Sequence, residues 1–199
     1  SIIFGTLFEA FSGLDMMTTG GSSGYSVTKR SWGAQLATGT TLNYSCYARY
    51  DFYGGDFSGF FSKNIIFECL INLDYAELTD AYILIGTVSN PATSGQRKFG
   101  IRIYQGALRI VSSDGTTQSE SSDLMTLSSG VWYRVKCKLT AGSNIEVWVD
   151  GISKGTKSNN LPSGTLIASG GAPFFYVKTL ESGVSHVLEF LGLRVMRDY

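Results

Sequence analysis

Apolar and polar residues alternate along two neighbouring runs between Val131 and Lys154. The first run, WYRVKCKL, points apolar side chains to one face and basic side chains to the other, because successive side chains of a strand face opposite ways. The second run, IEVWVD, repeats the alternation after the polar segment AGSN and closes on Asp150-Gly151. The two runs predict an antiparallel hairpin that packs on a core by a single face.

Strand-like patterns cover most of the remaining chain, and no convincing helix interrupts them. We expect further strands at residues 3–11, 25–36, 40–52, 64–73, 82–88, 98–104, 107–111, 174–180 and 184–196. The Gly/Ser/Thr-rich tract at 18–24 and residues 164–171 predict loops, and residues 76–80 predict one helical turn. The last run, LEFLGLRVM, is apolar enough for a strand at the centre of a sheet.

The spacing of these segments predicts the architecture. Many short strands, without long helices or a linker between them, fit two packed antiparallel sheets. We therefore predict an all-β fold, a two-sheet antiparallel β-sandwich or jelly roll that forms one domain over residues 1–199. The abundance of Gly, Ser and Thr and the scarcity of Pro suit strands joined by flexible turns.

The charge balance and hydropathy exclude two classes of partner. Sixteen basic residues balance sixteen acidic residues, so no overall field draws the protein to nucleic acid or to an anionic membrane surface. No apolar run approaches the roughly 20 residues that span a bilayer. We expect no nucleic-acid partner and no membrane insertion.

The cysteines and the single histidine offer little chemistry. Cys46, Cys69 and Cys137 are odd in number and lack C-x-x-C spacing, which argues against a zinc site and against a fully paired disulfide framework. Apolar neighbours favour small buried side chains for Cys69 and Cys137, while one disulfide among the three cysteines stays open. His186 has no second histidine with which to share a metal, so we expect a structural or exposed position.

The hairpin also carries a family resemblance. It resembles the hairpin of concanavalin A-like lectin and laminin G-like domains, in which a strand W-Y-x-V is followed by a turn and a strand closing on D-G. The matching residues are Trp132, Tyr133, Val135, Val147, Val149, Asp150 and Gly151. Residues 99–115 and 188–198 resemble the preceding strand pair and the last strand of such domains. The resemblance implies a jelly roll whose last strand lies beside the first, and it identifies a fold without an activity.

Catalysis finds little support in the pattern of carboxylates. Retaining glycosidases of this general fold resemble one another in an acidic cluster, E-x-D-x-x-E, that this chain lacks. Glycoside hydrolysis requires two carboxyl groups about 5 to 9.5 Å apart. Glu146 and Asp150, the nearest pair on one face, lie about 13 Å apart along a strand. We expect no enzyme, with a glycoside hydrolase built from distant strands as the minor alternative.

An aromatic tract from Tyr44 to Phe61 offers better material for binding. The C–H patch of a pyranose stacks on aromatic rings, and its hydroxyls bond to Asp or Asn side chains. The predicted ligand-binding residues are Tyr50, Tyr53, Asp56 and Asn64, with Trp148 as a second exposed contact. Core packing is the alternative for the aromatic residues of the tract, because alternation also suits ordinary strand packing.

No cofactor follows from the sequence. Laminin G-like and lectin-like domains often hold calcium with Asp and Asn oxygens at a loop rim, so the resemblance keeps calcium as an alternative. A local ligand string such as D-x-D-x-D-G does not occur in this chain.

The sequence favours recognition. We predict a non-catalytic glycan-binding or adhesive module, displayed on a cell or virion surface, whose partner is a glycan or a surface protein. The competing prediction is a structural subunit of a viral particle or filament, such as a capsid, decoration or fibre protein, that assembles with copies of itself or with virion neighbours. The apolar first strand would serve such assembly by pairing with a neighbouring sheet edge.

Overall fold

The computed structural model describes residues 4–9, 17–30, 33–50, 59–88, 90–166 and 173–198. The strands are β1 (Phe4–Glu9), β2 (Met17–Gly21), β3 (Ser26–Arg30), β4 (Gly33–Ala37), β5 (Ser45–Tyr50), β6 (Ile65–Leu73), β7 (Thr79–Gly86), β8 (Arg97–Tyr104), β9 (Ala107–Asp114), β10 (Gln118–Glu120), β11 (Met125–Thr126), β12 (Tyr133–Thr140), β13 (Asn144–Val149), β14 (Ile152–Lys157), β15 (Pro173–Thr179) and β16 (Val187–Asp198). Two short 3-10 turns occupy Phe60–Ser62 and Ala76–Leu78.

The strands form two antiparallel sheets packed face to face. Sheet A has the order β14-β13-β12-β6-β16-β4-β3, and β1 also pairs with β16. Sheet B has the order β10-β9-β8-β7-β15-β5-β2, and β11 also pairs with β9. The predicted two-sheet antiparallel sandwich is confirmed.

The hairpin of β12 and β13 behaves as its alternation predicts. Val135, Cys137 and Leu139 lie opposite Val149, Val147 and Ile145, and all six side chains are buried in the core between the sheets. The intervening side chains form the outer face of sheet A. Apolar burial on one face therefore fixes both the register and the orientation of this hairpin.

The last strand is central, as its apolar sequence indicates. β16 lies between β6 and β4 in sheet A, and β1 pairs with its second half. Phe190 of β16 stacks on Phe175 of β15 at 3.6 Å between ring centroids, so the contact joins the two sheets. The predicted neighbourhood of the first and last strands is confirmed.

Two hairpins turn through pairs of residues with positive φ. Gln105-Gly106 has φ values of 51° and 81°, and Asp150-Gly151 has the same values. Both pairs fit the type I′ turn, whose twist matches that of the flanking strands. Asp150 Oδ1 also accepts a hydrogen bond from the Arg134 backbone N–H at 2.9 Å. The carboxylate of Asp150 therefore joins the turn to strand β12.

Several boundaries differ from the predicted ones. The tract at 18–24, predicted as a loop, contains part of strand β2, which pairs with β5. Gly20 lies against the ring of Tyr47 on β5, and this contact leaves no room for a side chain. The predicted strand at 25–36 divides into β3 and β4. Residues after Asp150 form an additional strand, β14, and the Ser-rich segment after β9 contains β10.

The cysteines are all buried and free. Burial raises the pKa of the Cys46 and Cys69 thiols to about 12, so both stay protonated and apolar at neutral pH. The burial of Cys69 and Cys137 confirms the prediction that these two are small core side chains. Within the described ranges, no helix is long and apolar enough to cross a membrane.

Candidate functional site

The outer face of sheet B carries a line of directly opposed side chains across five strands. Tyr47 of β5 lies opposite Tyr176 of β15, which lies opposite Tyr82 of β7. Tyr82 lies opposite Arg102 of β8, and Arg102 lies opposite Arg109 of β9. We call these five residues the tyrosine–arginine row.

Ring contacts join the tyrosine half of the row. Phe174, one residue pair along the same face, stacks on Tyr47 with 5.6 Å between ring centroids and on Tyr176 with 6.4 Å. The rings of Tyr82 and Tyr176 meet edge to face at 5.9 Å. These are favourable geometries for aromatic pairs, so the rings hold one another in fixed orientations.

The guanidinium groups of the row lie on aromatic faces. The Arg102 guanidinium carbon is 5.1 Å from the centroid of the Tyr82 ring and 4.6 Å from that of Tyr104. The guanidinium carbon of Arg109 is 5.7 Å from the Tyr104 centroid. Such cation–π contacts orient the cations without consuming their hydrogen-bond donors.

Carboxylates fix the two arginines from the sides. Asp80 accepts two bonds from Arg102, from Nε at 2.8 Å and from Nη2 at 3.0 Å. Glu120 accepts from Arg102 Nη1 at 2.8 Å and from Arg109 Nη1 at 3.4 Å. Because bidentate pairs with a guanidinium define direction as well as energy, the charged half of the row is pre-organised.

The network extends beyond these pairs. Arg109 Nε donates to Asp123 Oδ1 at 2.6 Å, and Lys178 Nζ lies 3.7 Å from Asp80 Oδ2. Although burial opposes the charge of Arg102, its hydrogen bonds with Asp80 and the negative charges of Asp80 and Glu120 raise its pKa. The cations and carboxylates therefore alternate along this border of the row.

The phenol groups of Tyr82 and Tyr176 stay protonated at neutral pH. Burial, with a further contribution from the charge of Asp80, raises the pKa of Tyr82 and Tyr176. Tyr82 is only 3% exposed, whereas Tyr47 and Tyr176 are half-buried. Half-buried rings with neutral hydroxyls can offer both an apolar surface and hydrogen bonds to a ligand.

A second candidate lies on the outer face of sheet A. The Trp148 groove, about 510 Å³ in volume, is lined by Glu68, Arg134, Lys136, Trp148, Asp150 and Gly151. Lys136 Nζ lies 4.6 Å from the centroid of the Trp148 ring, and Arg134 Nε lies 2.9 Å from Glu68 Oε1. Trp148 is half-buried on the outer face, as its position in the alternation predicts.

The structure does not bring the predicted binding residues together. Tyr50 is 2% exposed, and its ring packs edge to face against Phe175 and Phe190 in the core. Asn64 donates from Nδ2 to Asp198 Oδ2 at 2.6 Å and accepts from the Ala141 backbone N–H at 3.0 Å. Tyr50 and Asn64 therefore hold the scaffold, and neither adjoins Trp148.

Two further predicted residues, Tyr53 and Asp56, lie outside the described residues. Core packing, the alternative for the aromatic tract, describes Tyr50, Phe60 and Phe61, all of which are buried. The sequence signal for the tyrosine–arginine row was weak, because each strand contributes only one of its residues and their alignment depends on register.

His186 and the acidic residues form no metal centre among the described residues, where no group of three or more potential ligands converges. The His186 side chain is fully buried, with Nε2 2.8 Å from Glu181 Oε1 and the Tyr75 ring 5.3 Å away between centroids. This is the structural position that we expected for a lone histidine.

Comparison with known proteins shows the fold. No protein-family model matches the chain, and no curated protein sequence matches it. A carbohydrate esterase from the Shiga toxin-encoding bacteriophage phi24B matches with a TM-score of 0.61 and 12% identity over 99% of this chain and 100% of that chain. Endo-β-1,4-glucuronan lyase from the fungus Trichoderma reesei matches with a TM-score of 0.56 and 13% identity over 96% and 90%.

A toxin structure shares the same fold. Botulinum neurotoxin type C, whose cell entry depends on interaction with two ganglioside molecules, matches with a TM-score of 0.52 and 10% identity. The match covers 90% of this chain and 42% of the toxin chain. These structural neighbours are β-sandwiches of carbohydrate-binding or carbohydrate-acting proteins.

The matches correct one prediction. The expectation that the chain is not an enzyme is wrong, because an esterase and a lyase are among the structural neighbours, and the esterase matches over its whole length. The carboxylate spacing that we tested concerns glycoside hydrolysis. Ester cleavage and elimination do not require that pair, so its absence along one strand does not exclude catalysis.

Proposed function

We propose that the protein recognises carbohydrate through the outer face of sheet B, with the tyrosine–arginine row as the binding surface. One observation carries the proposal: three tyrosines and two arginines stand directly opposite one another across five strands, on the face that points away from the core. The rings are held there by a second apolar cluster, in which Tyr82 and Phe174 are buried and against which Tyr47 and Tyr176 pack.

The dimensions of the row suit an oligosaccharide. Four steps of about 4.8 Å between neighbouring strands separate Tyr47 from Arg109 by about 19 Å. Several sugar units therefore fit along the row. The half-buried rings of Tyr47 and Tyr176 offer stacking surfaces for pyranose C–H groups, and the phenols, Lys178 and Glu120 offer hydrogen bonds to hydroxyls.

The structural neighbours support carbohydrate as the ligand class. The esterase, the lyase and the ganglioside-dependent toxin all have carbohydrate in their described activity or partner. The W-Y-x-V hairpin and the pairing of the first and last strands support a single concanavalin A-like domain. A phage protein and a toxin among the neighbours support a location on a virion or outside a cell.

A glycan array tests the proposal. We expect the wild type to retain a subset of oligosaccharides and Tyr176→Ala to bind them at least tenfold more weakly, because the substitution removes one ring of the row. Trp148→Ala is the matched control on the other sheet and should bind as the wild type does. Thermal unfolding of each variant checks that the fold is kept.

The array experiment also shows whether the protein chemically modifies the glycans that it retains. Mass spectrometry of the retained glycans detects loss of an acyl group or chain cleavage, so a catalytic function is read separately from binding. Equal binding by Tyr176→Ala and wild type, or loss of binding only in Trp148→Ala, contradicts the proposed surface. An absence of glycan binding combined with a large closed assembly in sedimentation would favour the structural-subunit alternative.

A further inference from the structure

A separate pocket lies at one end of the sandwich, where β7 and β9 end and β8 begins. Its volume is about 240 Å³, and its lining residues are Thr87, Gly95, Gln96, Arg97, Asp114, Gly115, Thr116 and Thr165. We call it the Arg97 pocket. The volume equals that of about eight liquid waters at about 30 Å³ each, so the pocket has room for one small ligand.

The Arg97 pocket is distinct from the tyrosine–arginine row. Arg97 and Arg102 lie on the same strand but differ by an odd number of residues, so their side chains leave opposite faces of the sheet. Five residues of strand also separate them by about 16 Å. Arg97 shares the inward direction of Phe99 and ends at the open rim of the sandwich.

Arg97 has an acidic residue opposite it but no ion pair with it. In the register of β8 and β9, Arg97 lies opposite Asp114. The Asp114 carboxylate instead accepts bonds from the Thr116 N–H at 2.8 Å, the Thr116 hydroxyl at 2.7 Å and the Thr117 N–H at 2.8 Å. These donors lower the pKa of Asp114 and commit its oxygen to the turn.

The guanidinium of Arg97 is consequently available. Its side chain is exposed, and throughout the described segments it makes no side-chain hydrogen bond or ion pair. Gly115 and Gly164 border it closely: a Cβ on Gly115 would lie 3.0 Å from Arg97 Cγ, and one on Gly164 would lie 3.9 Å from Nη1. Both glycines have positive φ, so the backbone itself keeps this space open.

We infer that the Arg97 pocket binds the carboxylate of a single sugar-acid residue. A guanidinium presents a planar fork that matches a carboxylate bidentately, and one free of internal partners keeps all its donors for a ligand. The hydroxyls of Thr116 and Thr165 and the exposed edge of the pocket suit the remaining hydroxyls of such a sugar. The inference rests on the proposed function only in taking the ligand to be a carbohydrate.

Binding of two matched monosaccharides tests the inference. Methyl β-D-glucuronide and methyl β-D-glucoside differ by one carboxylate, and their affinities for the isotope-labelled protein are measured by NMR titration. We expect at least a tenfold preference for the glucuronide, with shifts at the backbone amides of Gln96, Arg97 and Gly115. The preference should vanish in Arg97→Gln and persist in weakened form in Arg97→Lys, which keeps the charge and loses the fork.

Two further variants separate this site from the row. Gly95 lines the pocket, and a Cβ added there would have no other atom within 4 Å. Gly95→Leu therefore places new apolar atoms at the edge of the pocket and should weaken the glucuronide at least fivefold. Tyr176→Ala should leave the glucuronide preference unchanged. If Tyr176→Ala abolishes array binding while the preference persists, the two surfaces are independent, as inferred.

Several results would overturn the inference. Equal affinity for the two monosaccharides, or a preference retained in Arg97→Gln, removes Arg97 as the anion-binding residue. Acetate binding as tightly as the glucuronide reduces the pocket to a charge site with no recognition of sugar. If methyl glucoside 6-sulfate binds as tightly as the glucuronide, the pocket is not specific for a carboxylate. Failure of array binding with an intact glucuronide preference overturns the proposed role of the row alone.

Discussion

The outer faces of the two sheets differ in how their side chains are held. On sheet B, Arg102 is 20% exposed and Asp80 6% exposed, and the pair sits among stacked tyrosines. On sheet A, Arg134 is 68% exposed in its pair with Glu68. Partly buried, bidentate pairs fix geometry, whereas exposed pairs contribute little.

This difference is the reason for proposing the recognition surface on sheet B. The face of sheet A is an ordinary wet face whose long basic side chains cover the strands, with Lys136 resting on Trp148. The face of sheet B commits rings, cations and carboxylates to single positions, and such pre-organisation reduces the entropy lost on binding a ligand.

The largest difference should appear in stability when each arginine loses its charge. Among the described residues, Arg102→Met leaves the nearly buried Asp80 with Lys178 as its remaining cation, so we expect a loss of about 3 kcal/mol in the free energy of unfolding. Arg134→Met should cost less than about 1 kcal/mol. Urea unfolding measures both, and equal losses would remove the distinction between the faces.

The second largest effect is expected on the free energy of unfolding at alkaline pH. The pKa of Tyr82 is raised in the folded protein, so the folded state holds the phenol proton more tightly than the unfolded chain, whose tyrosines titrate near about 10. The stability contributed by Tyr82 is complete below that pH and decreases as the pH rises further. We expect a loss of about 1.4 kcal/mol by pH 11.

Tyr82→Phe should reduce this alkaline loss, because the ring remains and the ionising group is gone. Tyr75→Phe, at an exposed position beside His186, is the matched control and should reproduce the wild-type curve. Unfolding free energies measured between pH 7 and pH 11 give the comparison. Identical curves for Tyr82→Phe and wild type would show that the Tyr82 phenol does not contribute to the alkaline loss of stability.

A single methyl group should disturb the tyrosine end of the row. In Gly20→Ala, the added Cβ would lie 2.5 Å from Tyr47 Oη and 2.6 Å from Cε1, so the Tyr47 ring must move away. We expect a several-fold loss of glycan affinity with about 1 kcal/mol of destabilisation. An unaltered affinity in Gly20→Ala would argue against a role for Tyr47.

The smallest effect is expected on sheet A. Trp148→Ala removes a cation–π contact that is worth about 0.5 kcal/mol at exposed sites. Thermal unfolding should therefore show only a slight shift. A destabilisation comparable to that of Arg102→Met would mean that the face of sheet A is organised after all.

Sequence patterns predicted the scaffold well, for a physical reason. The β12–β13 hairpin and the central β16 follow from burial of one face, which alternation records directly. Strand β2 was missed because its glycines and threonines look like a loop, and only the Tyr47 ring explains Gly20. The aromatic tract around Tyr50 predicted binding where the structure shows core packing.

The candidate site was much harder to predict. Tyr47 and Tyr176 lie far apart in the sequence and become neighbours only through the pairing of β5 with β15. From its own strand, Arg102 would be predicted to be a solvent-facing cation. Only the folded structure shows that it donates to Asp80 and Glu120. Register between distant strands carries the site, and no local pattern encodes it.

The most direct test of the central claim is an NMR map of the oligosaccharide that the array selects. We predict that its addition perturbs backbone amides around Tyr47, Tyr82, Arg102 and Tyr176, with those around Lys136 and Trp148 unchanged. Perturbations centred on the Trp148 groove, with the tyrosine–arginine row silent, would contradict the account.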